Sequence, residues 1–153
     1  MEPTILFIGG TGTISSACVA EALDQGFGVT VLNRGRNALR PVPDGVEVVR
    51  ADLEDDGSVA TAIGNREFDV VADFMSFTPD RLRRNVDLLA GRIGQYIFTS
   101  SASAYAKPVA SLPIRESTPL RNPYWQYSRD KIACEELLVA RYRGDGFPAT
   151  IVR

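Results

Sequence analysis

Apolar residues in this chain form short runs that alternate with stretches of helical spacing. Short apolar runs bounded by turn residues predict buried strands, here at 4–8, 29–32, 46–49, 68–74, 96–98 and 149–152. Apolar positions three and four apart predict helices at 14–25, 58–63, 79–90 and 124–142. The proline-rich segment 107–123 is predicted to be a long loop.

This alternation of strands and helices is typical of an α/β fold, in which helices cover both faces of a parallel sheet. Right-handed crossovers and six strands favour the doubly wound order 3-2-1-4-5-6. The predicted fold class is therefore a Rossmann-type doubly wound parallel sheet. A length of 153 residues suits one such domain, spanning 1–153.

Composition narrows the functional classes. The chain is 44% hydrophobic and 24% charged, as in soluble globular proteins, and its net charge of -2 predicts no nucleic-acid partner. It shows no leader peptide and no apolar run of about 18 residues, so we expect a cytoplasmic protein. It contains no histidine, which excludes Ser-His and Cys-His nucleophile systems. Cys18 and Cys134 lie in apolar helical patterns and are expected to be buried free thiols, without a metal site.

A glycine-rich loop follows the first predicted strand and opens the first helix. In that context the loop backbone and the helix N-terminus bind the pyrophosphate of a dinucleotide. Gly9 allows the tight turn and Gly12 a close backbone approach, while Ser15 replaces a glycine that often packs helix on strand, so a slightly looser contact is expected there. A plain strand-to-helix turn is the alternative. The cofactor-binding residues expected here are Gly9, Gly10, Thr11, Gly12, Thr13 and Ile14.

The end of the second predicted strand bears on the choice of dinucleotide. NAD-binding folds place an acidic residue there for the ribose 2′-hydroxyl, whereas this chain has Asn-Arg-Gly-Arg at 33–36. Asn33 and Arg34 would then meet the ribose, and Arg34 would pair with a 2′-phosphate, which favours NADP over NAD. The alternative is a turn with a solvated arginine. Asp52 and Leu53, after the third strand, are placed to meet the adenine.

Proton-transfer chemistry is indicated by Tyr127 and Lys131, which lie four residues apart in the last predicted helix and so share one face. A neighbouring cation favours a phenolate, so Tyr127 could act as a general acid or base on an alcohol or carbonyl. Ser101 follows the fifth predicted strand, at the sheet edge where ligands bind, and could orient a substrate oxygen. A surface tyrosine, a solvated lysine and a turn-forming serine are the alternatives.

The order of these motifs resembles the extended short-chain dehydrogenase/reductase superfamily, which includes NAD(P)-dependent sugar epimerases and dehydratases. The segment Phe-Thr-Ser-Ser-Ala-Ser-Ala-Tyr at 98–105 looks like the family's serine segment. The loop Gly-Gly-Thr-x-x-Ile-Ser is similar to that of an atypical branch, which includes relatives of plant chloroplast stem-loop RNA-binding proteins. The resemblance covers essentially the whole chain.

The resemblance implies roles for individual residues. Ser101 and Tyr127 would be catalytic, while Lys131 would lower the tyrosine pKa and bind the nicotinamide ribose. Phe74 and Met75 would pass the cofactor ribose. The implied activity is hydride transfer at a hydroxyl or carbonyl of a sugar or nucleotide sugar, with NADP or NAD as cofactor. Family analogy also implies a homodimer through the helices around 82–90 and 132–139.

Two departures from the family pattern stand out. Asn85 lies on the helix before the fifth strand, but its spacing to that strand does not match the family asparagine, and we assign it no role. Family members continue into a smaller substrate lobe, which is expected to be missing because the chain ends at Arg153. Three alternatives stay open: a non-catalytic NAD(P)-binding sensor, an RNA-binding relative and a simple NADPH-dependent reductase.

Overall fold

A computed structural model describes residues 2–35 and 40–153, and in these ranges six strands form one parallel sheet. The sheet order is 3-2-1-4-5-6, which confirms the predicted fold class and strand order. The strands are β1 (Thr4–Ile8), β2 (Gly28–Asn33), β3 (Glu47–Arg50), β4 (Phe68–Asp73), β5 (Ile93–Thr99) and β6 (Ala149–Val152). The helices are α1 (Ser15–Asp24), α2 (Asp56–Ile63), α3 (Pro79–Leu89) and α4 (Gln126–Asp145), with a 3₁₀ turn at Ala102–Ala104.

The two faces of the sheet bury separate apolar layers, because successive strand residues point to opposite sides. Ile5 and Phe7 of β1 pack with Val19 of α1 on one face. Leu6 and Ile8 face the other way, into a larger cluster with residues of α2, α3 and α4. Burial on both faces explains why the central strands read as continuous apolar runs.

Local sequence signals set the ends of the helices. Thr78 caps α3 by accepting a hydrogen bond from the Arg81 N–H, and Pro79 occupies the first turn. The helix α4 runs three residues beyond its predicted end, and Asp145 in this added stretch pairs with Arg141 at 2.8 Å. Gly146 then ends it in the left-handed conformation, with φ of 70°.

The strand β5 begins three residues earlier than predicted, and Gly94 explains the difference. Gly94 and its polar neighbour Gln95 look like a turn in the sequence, yet Gly94 sits opposite Asp69 in the β4–β5 pair. A Cβ on Gly94 would lie 2.7 Å from the Asp69 carbonyl oxygen. The glycine therefore belongs to the strand because it lets two backbones approach closely.

The order of the strands also fixes where a ligand fits. The strand β1 lies between β2 and β4, so the strand order reverses direction at β1. At the end of β1, Ile8 pairs with Leu32 of β2 on one side and with Asp73 of β4 on the other. Ligands of doubly wound sheets bind in the crevice at this reversal, outside the carboxyl ends of the strands. No helix within the described ranges has the length and apolar character needed to cross a bilayer.

Gly94→Ala is expected to lower the free energy of unfolding by about 1–3 kcal/mol, because the added methyl overpacks the β4–β5 pair. Gly144→Ala in α4 is the matched control, since its Cβ would meet nothing within 4 Å. Alanine there should raise the free energy of unfolding by about 0.5–1 kcal/mol through helix propensity. Urea unfolding of the three proteins makes the comparison, and equal stability of wild type and Gly94→Ala would contradict this account of β5.

Candidate functional site

A cavity of about 860 Å³ opens at the carboxyl edge of the sheet, where the strand order reverses. Its volume lies in the range of sites that hold small ligands and cofactors. Loops after β1, β2, β4 and β5 contribute to its wall, together with one face of α4. The predicted site residues that line it are Gly9, Thr11, Gly12, Thr13, Ile14, Asn33, Arg34, Leu53, Phe74, Ser101, Tyr127 and Lys131.

Two predicted cofactor residues, Gly10 and Asp52, are not part of this lining. A Cβ on Gly10 would lie 2.7 Å from a methyl carbon of Val31, so this glycine lets the loop pack against β2. The exposed Asp52 carboxylate accepts a hydrogen bond from the Glu54 N–H at 3.1 Å and closes the turn before α2. A contact between Asp52 and adenine stays a prediction.

The glycine loop is shaped by its neighbours on both sides. Gly9 has a φ of +83°, and a Cβ on it would lie 2.2 Å from Met75 Cγ, so any other residue there would strain the backbone and displace the Met75 side chain. Ser15, where a looser contact was expected, is buried. Its hydroxyl accepts a hydrogen bond from the Gly12 N–H at 2.9 Å and ties the loop to the start of α1.

The N-terminus of α1 faces the cavity and suits an anion. The N-cap residue of this helix is Ile14, whose side chain forms no capping hydrogen bond, and the first turn contains no acidic residue. Backbone N–H groups at a helix start are unsatisfied by the helix itself, and the helix dipole adds partial positive charge there. The loop and the helix end therefore fit a pyrophosphate.

A basic edge forms where β2 ends. The Asn33 Oδ1 accepts a hydrogen bond from the Gly35 N–H at 2.7 Å, which holds the turn and leaves Arg34 exposed beside the cavity. Sequence reasoning missed Arg50, which pairs in register with Asn33 and whose Nε would lie 3.1 Å from a Cβ on Gly35. Within the described residues neither arginine forms an ion pair. Arg36 of the same run lies outside the described residues.

Ser101 is held by a short chain of hydroxyl groups. Its Oγ accepts from the Ser103 N–H at 3.1 Å and lies 2.8 Å from the Ser103 Oγ. Ser128, next to Tyr127 on α4, donates to the same Ser103 oxygen at 2.9 Å. The sequence did not point to Ser103 or Ser128, because their contact joins segments 25 residues apart.

Tyr127 stands in an aromatic wall at the mouth of the cavity. Its ring centroid lies 4.7 Å from that of Trp125 and 6.3 Å from that of Phe77. Lys131 lies on the same face of α4, with its Nζ 5.9 Å from the centre of the Tyr127 ring. The spacing of four residues thus places the two side chains on one face of α4, and an effect of Lys131 on the Tyr127 phenol stays a prediction.

Lys131 is not a solvated surface lysine, since only 1% of it is exposed. Its Nζ donates hydrogen bonds to the carbonyl oxygens of Ser76 and Thr99, each at 2.8 Å. It also lies 4.5 Å from the centre of the Phe98 ring. Desolvation lowers the pKa of Lys131, and the negative charge of Asp73 opposes that shift.

Asn85, to which the sequence assigned no role, is buried beside this lysine site. Its Nδ2 donates to the Ser76 Oγ at 3.0 Å and to the Asp73 Oδ2 at 3.3 Å. Spacing along the chain to β5 was a poor guide, because α3 carries Asn85 onto the turn that follows β4. The sequence also did not point to Asp73, Ser76 and Tyr96, because separate segments of the chain bring them together with Asn85.

An ion pair closes the side of the cavity next to β6. Arg153 Nη2 lies 2.6 Å from the Oε2 of the buried Glu135, and Ser100 donates a hydrogen bond to the same carboxylate. Hydrogen bonds to Glu135 raise the pKa of Arg153, which keeps it charged. Both Ser100 and Arg153 line the cavity.

Comparison with known proteins extends these observations. The model of the NAD dependent epimerase/dehydratase family matches residues 5–153. A UDP-glucose 4-epimerase from Lactobacillus helveticus is 28% identical over 167 residues, which cover 97% of this chain and 50% of that protein. The chain thus spans about half the length of the curated relatives it matches.

Solved structures share the fold. A short-chain dehydrogenase/reductase superfamily protein from Agrobacterium tumefaciens with bound NAD matches at 29% identity with a TM-score of 0.77, over 98% of this chain and 48% of that one. A UDP-glucose 4-epimerase from Brucella ovis in complex with NAD matches at 21% identity with a TM-score of 0.83, over 97% of this chain and 50% of that one. At 21% identity the second likeness shows the fold alone.

The two cysteines are expected to react with a thiol reagent at very different rates. Cys18 is half-buried and lines the cavity, whereas Cys134 is fully buried and desolvation raises its pKa to about 12. The thiolate is the reactive form, so a disulfide reagent at pH 8 should label one thiol in the native protein and the second only after unfolding. Cys18→Ser should abolish the native reaction, and equal labelling of both thiols would contradict the burial of Cys134.

Proposed function

Because the chain belongs to the NAD dependent epimerase/dehydratase family, as the motif resemblance predicted, we propose that it binds NAD(P) and catalyses epimerisation or dehydration of a nucleotide sugar. The observation that carries this proposal is the meeting of Ser101, Tyr127 and Lys131 with the glycine loop in one cavity. The chain spans only about half the length of its curated relatives, so the activity and the substrate of the whole protein are part of the proposal.

The residues of the chain divide the work in this proposal. Bound NAD(P) supplies the site that accepts and returns hydride. Tyr127 removes the proton of the reacting hydroxyl, and Ser101 donates a hydrogen bond to the same oxygen. An ammonium has three donors, and Lys131 uses two on backbone carbonyls, which leaves the third for the nicotinamide ribose or the Tyr127 phenol.

The cofactor cradle of the proposal uses the backbone more than side chains. The loop around Gly9 and Gly12 and the start of α1 bind the pyrophosphate, while Phe74 passes the ribose and Leu53 meets the adenine. In the proposed epimerisation or dehydration the hydride returns to the substrate, so the reaction is redox-neutral and the cofactor is not consumed. Loss of one NADPH for each substrate turned over would instead identify a simple reductase.

We also propose that the chain prefers NADP, although two similar solved proteins contain NAD. The support is the basic edge of the cavity, where Arg34 is exposed and Asn33 replaces the acidic residue that binds a 2′-hydroxyl. The Asn33 Oδ1 accepts a hydrogen bond from the Gly35 N–H, and its neutral amide does not repel a 2′-phosphate as a carboxylate would.

Arg34→Ala should weaken NADPH binding roughly tenfold and leave NADH binding unchanged, because a partly solvated contact between guanidinium and phosphate contributes about 1–2 kcal/mol. Calorimetry with both cofactors measures the two affinities. Arg143→Ala, at an exposed position on α4, is the control for loss of one positive charge. Equal affinity of the wild type for NADPH and NADH would remove the argument from Arg34.

In the whole protein, Tyr127→Phe should lower the turnover number by about two to four orders of magnitude, the usual contribution of a general acid or base. The phenylalanine ring can still pack on Trp125 and Phe77, so NAD(P)H affinity and stability should not change. Interconversion of UDP-glucose and UDP-galactose is the assay, and Tyr124→Phe at an exposed position is the control. Unchanged turnover in Tyr127→Phe would defeat the mechanism.

A further inference from the structure

A fully buried carboxylate, that of Asp73, lies at the end of β4 and takes no direct part in the chemistry proposed above. Its Oδ1 accepts hydrogen bonds from the N–H groups of Met75 at 2.8 Å and Ser76 at 2.9 Å. Its Oδ2 accepts from the hydroxyls of Tyr96 and Ser76, each at 2.5 Å, and from the Asn85 amide at 3.3 Å. Five donors directed at one carboxylate suit its ionised form, which only accepts hydrogen bonds.

These donors are all neutral. Burial, together with the charge of Asp73, raises the pKa of Tyr96 well above its usual value, so its hydroxyl stays protonated. Within the described residues Asp73 forms no ion pair. Its negative charge is thus buried without a cation in direct contact, an arrangement that is costly unless a cation lies nearby.

The nearby cation is Lys131, and Ser76 links the two groups. Ser76 donates its N–H and its hydroxyl to Asp73, and its carbonyl oxygen accepts a hydrogen bond from the Lys131 Nζ at 2.8 Å. Ser76 is itself fully buried. The carboxylate therefore fixes the turn that presents a carbonyl oxygen to the ammonium.

Other charged or titratable groups around Lys131 do not replace Asp73. Glu135, on the next turn of α4, is neutralised by its ion pair with Arg153. Cys134 is a protonated thiol at neutral pH, because burial raises its pKa to about 12. Tyr127 presents its ring to the Nζ. Within the described residues, Asp73 and Glu135 are the buried acidic residues, and Asp73 is the one without an ion pair.

We propose that Asp73 is a positioning residue for Lys131: it holds the Ser76 carbonyl that binds the ammonium, and its charge keeps the buried ammonium protonated. Ser76, Asn85 and Tyr96 hold the carboxylate in place for this role. The effect on catalysis rests on the proposed function, in which a charged Lys131 supports Tyr127. The effect on the charge of Lys131 does not require that function.

The chain contains two lysines, Lys107 and Lys131, so lysine labelled with carbon-13 at Cε gives two side-chain NMR signals. Their titration is compared in the wild type and in Asp73→Asn. The asparagine Oδ1 can keep both backbone N–H bonds, and the hydroxyls of Ser76 and Tyr96 can rotate to accept from the new amide. We expect the Lys131 signal to titrate at lower pH in Asp73→Asn, with the Lys107 signal unchanged as the internal reference.

Tyr96→Phe is the matched control, because it removes one hydrogen bond to Asp73 and keeps the charge. Its Lys131 signal should titrate near the wild-type pH. Should Asp73→Asn fail to fold, Asp73→Ser makes the same test, since a serine hydroxyl can still accept the N–H groups of the turn. An unchanged Lys131 titration without Asp73, or an equal shift in Tyr96→Phe, would overturn the proposal.

The pH profile of turnover separates this proposal from the proposed function. If a charged Lys131 supports Tyr127, turnover falls as pH rises through the Lys131 pKa. Removal of the Asp73 charge lowers that pKa, so the alkaline fall should move to lower pH. If Asp73→Asn shifts the Lys131 signal but the whole protein has no sugar-nucleotide activity, the proposed function is refuted and the role of Asp73 stands. If the whole protein is active but the Lys131 signal does not shift, the role of Asp73 is refuted and the proposed function stands.

Discussion

Burial of the Lys131 ammonium is the interaction on which the site depends. Its hydrogen bonds to the Ser76 and Thr99 carbonyls join α4 to the turn after β4 and to the end of β5. A buried charge persists only when it is well paired, so this contact holds α4 in one position across the carboxyl edge of the sheet. Tyr127 lies one helical turn before Lys131 and is placed by the same contact.

The segment that follows β4 connects the two halves of the site. Met75 lies so close to Gly9 that a Cβ at position 9 would be only 2.2 Å from its Cγ, so this segment is in direct contact with the glycine loop. Phe77, two residues later, faces the ring of Tyr127 and lies 5.0 Å from the Lys131 Nζ. The proposed cofactor cradle and the proton-transfer groups are therefore held by one short stretch of backbone, between β4 and α3.

Sequence reasoning predicts the parts of this protein whose signal is local. Apolar runs give the sheet, and a spacing of four residues puts Tyr127 beside Lys131. It fails at Gly94, where the cause is a backbone on the neighbouring strand, and at Asp73, whose partners Asn85 and Tyr96 are 12 and 23 residues away. It also misses Arg50, which reaches the β2 turn only through strand register. Long-range polar contacts have no periodic pattern, so the structure is needed to find them.

The turn after β2 has a consequence for how this fold can diversify. Arg34 is exposed, and the turn that carries it is closed by the short-range bond between Asn33 and Gly35. Neither apolar layer includes Arg34, so exchanging this side chain should disturb the core very little. If Arg34 selects the cofactor as proposed, a single substitution at this position would change that choice and leave the buried residues around Lys131 in place.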